Sequence, residues 1–488
     1  MKTKLFFLAL LCTIALYSQT QIGTDIDGEA LGDRSGNSVS LSSDGSIVAI
    51  GAYQNDGNGG ASGHVRVYQN NSGIWTQIGN DVDSEVGSDN TGTSLSMSSD
   101  GSIFATGAPY NNGTGNRLGQ VRVYQNISGV WTKIGNNIDG ESDEDYSGRS
   151  VSLSSDGSVV AIGTQYNNGN GIESGHVRVY KNVSNVWTQL GADIDGEAAY
   201  DWSGYSVSLS SDGSIVAIGA RQNSGAGYHR GHVRVYQNIS GVWTQIGDDI
   251  DGQTFQEYSG ESVSLSSDGS VVAIGAPYKS EIEFFAGCVR VYKNISGVWT
   301  QIGDDINGSF NTENFGKSVS LSLNGDIVAI GASANAGSPG HARIYKNVSD
   351  VWTQIGNDIN GESSADEFGT SISLSTDGST VAIGAPLNDG NGDRSGHVRV
   401  YDLSAILSIE NNEISKNFSV YPNPVNNYLQ LQLAPHLEFK TAAIYNYYGQ
   451  LVSQSKTTTI NVSNLSSGVY FLEIETNKGT GIKKIIKK

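Results

Sequence analysis

One unit returns seven times along the chain, and that repetition limits what it can fold into more than any other feature. "WTQIG" or a close relative recurs with its tryptophan at 75, 131, 187, 243, 299 and 352. "VAIG" begins at Val48, Phe104, Val160, Val216, Val272, Val328 and Val381, and "VRVY" ends at Tyr68, Tyr124, Tyr180, Tyr236, Tyr292, Tyr345 and Tyr401. Each unit reads as four short strands. "SVSLS" alternates apolar and small polar residues, "SDGS" is a tight turn, and "IVAIGA" is an apolar run suited to burial on both faces. A Gly/Asn-rich loop then leads to "HVRVY", and an "NxSG" turn leads to "VWTQIG". Four strands per unit, seven units and Gly-rich turns predict an all-β fold: a seven-bladed β-propeller. A solenoid has a much shorter period.

The ends of the array predict closure. The repeats are preceded by "QTQIG" (19–23), a fourth strand with no unit before it, and the last unit stops at "VRVYDL" (398–403) without its own "WTQIG". The first strand is therefore expected to complete the seventh blade, which leaves no long open sheet edge. Residues 1–18 read as a secretory signal peptide, with Lys2 and Lys4 before a short apolar stretch from Leu5 to Tyr17. Cys12 lies inside it, so Cys288 is alone in the mature chain and no intrachain disulfide is expected. No run is long enough for a transmembrane segment. Net charge is −20, while residues 410–488 carry eight Lys against five Glu, so the acid excess belongs to the repeats. An acidic surface of this kind argues against nucleic acid as a partner.

Two family resemblances follow from particular residues. "FGTSISLSTDGSTVAIGAP" (368–386) and "FGKSVSLSLNGDIVAIGAS" (315–333) resemble the FG-GAP repeat of integrin α-subunits, and the middle of each unit also looks like a WD40 repeat. Both imply a propeller over residues 19–403, and neither implies a ligand. After a linker at 404–416, residues 417–488 resemble the type A C-terminal sorting domain of the type IX secretion system. The match rests on Tyr421-Pro422-Asn423-Pro424, on Gly449, and on Gly468 before Val469 and Tyr470. That resemblance implies a small C-terminal β-sandwich, handling by the type IX secretion machinery, and a secreted or surface-attached product.

The strand 4-to-1 and 2-to-3 connections of a propeller emerge on one face, so the "DIDGE" connectors and "NDGNG" loops should ring one mouth. Asp25, Asp27, Asp81, Asp83, Asp193, Asp195, Asp249 and Asp251 repeat in those connectors and offer the oxygens a hard cation such as calcium needs. The same residues suit turns in which Asp bonds its own backbone. Eight positions after the first aspartate an acid always recurs, from Asp33 to Asp366, and it is the expected partner of the mid-strand arginines such as Arg66. The repeated His64, His176, His232, His341 and His397 read as scaffold, with Gln120 and Cys288 in the other two units. No catalytic triad, zinc spacing or phosphate loop is present.

Symmetry breaks in units four and five. Trp202, Arg221, Tyr228, His229, Arg230, Phe255, Tyr258, Phe284 and Phe285 fall on neighbouring mouth loops there, residue types that anchor interfaces and stack on sugars. The expected function is binding or adhesion toward an extracellular glycan or protein rather than catalysis. A polysaccharide lyase or glycosidase would need two carboxylates in unlike environments near the axis. A structural surface-layer role would need neither.

Overall fold

The computed structural model describes residues 19–113, 115–333, 337–407, 414, 417–446 and 451–488, apart from the side chain of Ile482. Seven antiparallel sheets occupy residues 20–402. In the first of them, Ser35–Leu41, Ile47–Ala52, His64–Asn70 and Trp75–Gln77 lie in sequence order, and Val82–Asp83 adds a short fifth strand. The connector expected to be a plain turn therefore contributes a strand to the blade before it. Tyr401 and Asp402 pair with Gln21 and Thr20, so the N-terminal strand completes the last blade as expected.

Two rings of hydrogen bonds close the propeller. Each inner-strand serine takes an amide from the next blade: Met97 N bonds Ser40 Oγ at 3.0 Å, and the series ends where Leu41 N bonds Ser373 Oγ at 3.0 Å. A second ring is wholly main-chain, running from Ser43 to Ser99, Ser155, Ser211, Ser267, Leu323, Thr376 and back to Ser43 with N···O distances of 2.7–2.9 Å. The second strand of each blade is buried on both faces, with Val48, Ala49 and Ile50 fully inaccessible. Adjacent blades interlock there. Ile26, Val39, Val48 and Ile50 form one cluster with Ala382, Val398 and Val400 of the last blade. Gly51, next to last in its strand, has no room for a side chain, because a β-carbon would lie 2.3 Å from the Gly92 carbonyl oxygen of the next blade. The repeated tryptophans tie outer strands together: Trp75 Nε1 donates to Ile22 O at 2.8 Å, and Trp131 to Ile78 O at 2.8 Å.

The "SDGS" turns carry a pH-dependent share of stability. Asp44 accepts the Ser46 amide at 2.9 Å and the Ser42 hydroxyl at 2.7 Å, and Asp100, Asp156, Asp212, Asp268 and Asp377 repeat this. Burial alone would raise these carboxyls, but the hydrogen bonds outweigh it and hold all six below 3.8. A depressed folded-state value stabilises the fold above the unfolded value and is lost as pH falls through the folded one. The share carried by these turns is therefore expected to be level from about pH 7 to 5 and to be lost below about pH 4, while His64, His176 and His232, held near 4 by burial, make the melting temperature fall already below about pH 6.5. A melting temperature unchanged down to about pH 2.5 would contradict this.

The C-terminal residues form a separate two-layer structure. One sheet contains Phe418–Tyr421, Tyr428–Leu433 and Thr459–Asn461; the other contains Phe439–Tyr445, Leu451–Ser455, Gly468–Thr476 and Gly479–Lys487. Leu429, Leu431 and Ile460 of the first pack on Ile444, Leu472, Ile474 and Ile485 of the second, which makes the expected sandwich. The expected linker begins differently. Ser404–Leu407 is a helical turn, and Ile406 is buried against Ile344, Ile355 and Leu403 of the propeller. Residues 1–18 and Gly449 lie outside the described residues.

Candidate functional site

The mouth is shaped by backbone that side chains rarely adopt. One connector position per blade sits in the left-handed region, and it holds Arg34, Asn90, Tyr146, Trp202, Tyr258, Asn314 and Glu367 with φ between 54° and 58°. Only asparagine among these types is at ease there. Bulky residues at such positions are strained, and strain of this kind is concentrated at functional sites.

From those positions an arc of aromatic rings crosses the face. Tyr110, Tyr146, Tyr166 and Trp202 follow one another edge to face at centroid distances of 5.2–5.4 Å, and Tyr205 lies parallel to Trp202 at 6.5 Å. The Arg221 guanidinium then bridges Trp202, Tyr205, Tyr258 and Tyr278 at 4.6–6.0 Å. Beyond it Tyr258 meets Tyr278 and His229, Tyr278 meets Phe285, and the chain of contacts ends at Phe284 and at Tyr228 with Phe255. The structure thus joins the expected residues Trp202, Arg221, Tyr228, His229, Phe255, Tyr258, Phe284 and Phe285. Arg230 is the exception: it folds back on Gly227 and its charge faces Asp251.

The residues missed from sequence line the axis. A cavity of about 380 Å³ is lined by Asn37, Thr93, Arg149, Tyr205 and Arg221 together with the first half of the arc. An adjoining one adds Arg34, Glu261, Lys317, Glu367 and Thr370. Asn37, Thr93, Arg149, Tyr205, Glu261, Lys317 and Thr370 occupy one position of the repeat, two residues into the first strand, and six different residue types stand there in a unit otherwise nearly invariant. That variability was the available signal. Glu261 is buried; Arg221 and Lys317 both donate to it, and Tyr205 Oη lies 3.3 Å away. Burial would raise its carboxyl, but Lys317 and Arg221 hold it below the usual carboxylate range. Burial raises Glu367 despite Lys317, Arg34 and Arg394. Arg34 bonds Tyr53 Oη at 2.5 Å and feels the charge of Glu367, while Arg149 lies over the Tyr205 ring and feels that of Glu261.

The connectors are built differently from expectation. Only three mid-strand arginines pair with the eighth-position acid: Arg122 with Asp89 at 3.1 Å, Arg290 with Glu257 at 2.6 Å and Arg343 with Glu313 at 2.7 Å. Arg66, Arg178, Arg234 and Arg399 instead donate to the main-chain carbonyls of Asp27, Asp139, Asp195 and Asn360 at 2.7–2.9 Å. They face Glu29, Glu141, Glu197 and Glu362 at 3.4–3.7 Å. In those blades the eighth-position carboxylate is already occupied, as where Asp33 takes the Ala30 amide at 2.9 Å and the Asn55 side chain at 3.2 Å.

The acids expected to hold calcium do not form cages of oxygen alone. Connector and third strand pair so that Asp83 lies opposite His64, Asp195 opposite His176, Asp251 opposite His232 and Asp27 opposite His397. An imidazole therefore enters each group, and Asp25, Asp81, Asp193 and Asp249 come within 3.5–3.8 Å of its Nδ1. Burial, then the neighbouring arginine, lowers His64, His176 and His232 to about 4, so these rings are neutral at physiological pH. Cys288 in the same slot is pushed up to about 12 by burial and is no nucleophile.

In the sandwich, the proline-flanked Asn423 does the stitching. Its side chain donates to Lys484 O at 2.9 Å and accepts the Ile486 amide at 2.8 Å, which fixes the last strand. Tyr421, Pro422 and Pro424 carry the chain around it, and Gly468 opens the strand that pairs with the last one. Residues 419–488 match the model of the secretion system C-terminal sorting domain. This domain is a type IX sorting domain. A sorting domain directs export through the type IX machinery to the cell surface or beyond. Among the described residues no helix is long and apolar enough to cross a membrane. Residues 360–401, the seventh repeat, match the FG-GAP repeat. No curated protein matches the chain. Among solved structures, the hydrazine synthase of Kuenenia stuttgartiensis is 14% identical at a TM-score of 0.49, covering 79% of this chain and 98% of its own. The periplasmic gluconolactonase of Pseudomonas aeruginosa is 15% identical at 0.47, covering 67% and 85%. These similarities concern the path of the chain alone; the fold rests on the two hydrogen-bond rings.

Proposed function

We propose that this exported propeller is a binding module that takes a glycan at its mouth. The observation that carries the reading is the aromatic arc from Tyr110 to Phe284, laid beside a cavity and held partly by strained backbone. Ring faces and edges suit the apolar faces of sugars. Tyr228, Phe255 and Phe284 are each more than half exposed, an arrangement with no value to the core. Arg34 and Arg149, which line the cavity, favour a sugar that carries a carboxylate or sulfate.

A screen of the purified protein against neutral, uronate-containing and sulfated oligosaccharides tests this. Trp202→Asn should weaken binding by about tenfold or more, the worth of one stacking contact. Its melting temperature should not fall, because asparagine suits a φ of 56°. Absence of any glycan ligand, or unchanged affinity in that variant, would refute the reading. A second reading is favoured by Glu261 and Glu367, two carboxylates shifted in opposite directions in one cavity. In that case the same oligosaccharides would be cleaved, and Glu367→Gln would abolish cleavage while sparing binding.

A further inference from the structure

We propose that four blades each hold a divalent metal ion between a buried histidine and the connector carboxylates, with zinc the preferred ion and manganese the alternative. Four groups qualify: Glu29, His64 and Asp81; Glu141, His176 and Asp193; Glu197, His232 and Asp249; and Asp25, Asp27 and His397. In each, the candidate ligand atoms lie within 4.8 Å of one another.

The first group shows the geometry best. His64 is 1% exposed and neither ring nitrogen has a hydrogen-bond partner. Its Nδ1 points at Glu29 Oε2, Asp81 Oδ2 and Asp83 Oδ1, at 3.9, 3.8 and 3.8 Å. These separations are too long for hydrogen bonds. They are close to the ~3.4 Å that separates ligands bound tetrahedrally at about 2.1 Å. Two of these carboxylates are also oriented by their other oxygen: Gln77 Nε2 bonds Asp81 Oδ1 at 2.6 Å, and Arg66 faces Glu29 Oε1 at 3.5 Å. Outer contacts that aim a ligand in this way are a regular part of metal sites. One neutral imidazole with two or three carboxylates suits zinc or manganese, whereas calcium takes oxygen alone.

The other three blades supply an independent observation. Each has lost the histidine or the fifth-position glutamate, and two of them place a lysine among the remaining acids. Gln120 replaces histidine in the second blade, and there Lys133 Nζ binds Glu85 at 2.9 Å and Asn137 at 2.8 Å. Cys288 replaces it in the fifth, and Lys279 Nζ binds Asp305 at 2.7 Å and Glu281 at 2.7 Å. Ser309 replaces the glutamate in the sixth, where Arg343, the counterpart of Arg66, spans Glu313 and Asp358 at 2.7 and 3.0 Å. In the second and fifth blades a lysine with no counterpart in the four full groups occupies the position. The four groups with the full ligand set have no such lysine, and the site then requires a cation from solution.

The test is metal analysis and zinc calorimetry on the purified full chain after dialysis against chelator. Saturable zinc or manganese binding is expected, with a rise in melting temperature. Gln77→Lys, which copies Lys133 of the second blade, should remove one ion and its share of the rise without loss of fold. Replacing His64, His176, His232 and His397 together by Gln should remove all of them. No binding at tens of micromolar metal, or binding undiminished in both variants, would overturn the proposal. So would calcium binding that survives loss of the four histidines, since that would place the ion on oxygen ligands alone.

Discussion

A chain truncated after Lys478 is expected to stay behind the outer membrane instead of reaching the cell surface or the medium. The removed strand, Gly479–Lys487, pairs along its whole length with Gly468–Thr476. It also closes the sandwich core through Ile485, which is fully buried. Without it Leu472 and Ile474 lose their cover, and Asn423 loses both of its partners. A domain of about 70 residues has no reserve against such a loss. Asn423→Ala is the graded version: two hydrogen bonds go, worth about 1–3 kcal/mol together, and surface delivery should fall without vanishing. Cell fractionation with immunoblotting reads both results. Normal surface delivery of the truncated chain would show that the last strand is not needed for sorting.

The second large effect is expected at Glu261. Replacing this carboxylate by Gln keeps its shape and removes the charge that compensates Arg221 and Lys317. Breaking a buried ion pair on one side costs about 3–5 kcal/mol, because the partner charges stay desolvated. Lys317 is about 29% exposed and recovers some hydration, so the lower end applies. Arg221 is less exposed and also anchors the two halves of the aromatic arc, so ligand binding should weaken together with stability. Glu261→Gln with Lys317→Met should recover much of the stability, and the double-mutant cycle measures their coupling. The sign with pH follows from the lowered carboxyl. The contribution is present above the ordinary value of 4.5 and is lost as pH falls through the lower folded one. Equal melting temperatures for the native protein and Glu261→Gln would refute the account.

The fold was open to sequence reasoning because a repeat states the same rule seven times. The strand pattern, the "SDGS" turns and the orphan "QTQIG" strand are local features, and each reads the same in the structure. The sorting domain was legible for a related reason, since Asn423 with its flanking prolines is a compact motif near one end. The aromatic cluster of units four and five was visible as a departure from the repeat. Its continuation through Tyr110, Tyr146, Tyr166, Tyr205 and Tyr278 was not, because these residues lie in four different units and the arc is completed by contacts across blade boundaries, Tyr110 with Tyr146 and Tyr166 with Trp202.

Sequence alone determined the number of units, the strand order within each and the closure of the ring, because those depend on periodicity and on neighbours along the chain. Tertiary structure decided which partner each charge takes. Arg66 was matched by spacing to Asp33, but Asp33 takes the Ala30 amide and the Asn55 side chain, and the arginine bonds Asp27 O and faces Glu29. His64 reads as scaffold in the sequence; only pairing sets Asp83 opposite it and brings Glu29 and Asp81 to 3.9 and 3.8 Å from its Nδ1. Such contacts join residues separated by a strand and a loop, so spacing along the chain does not select among them.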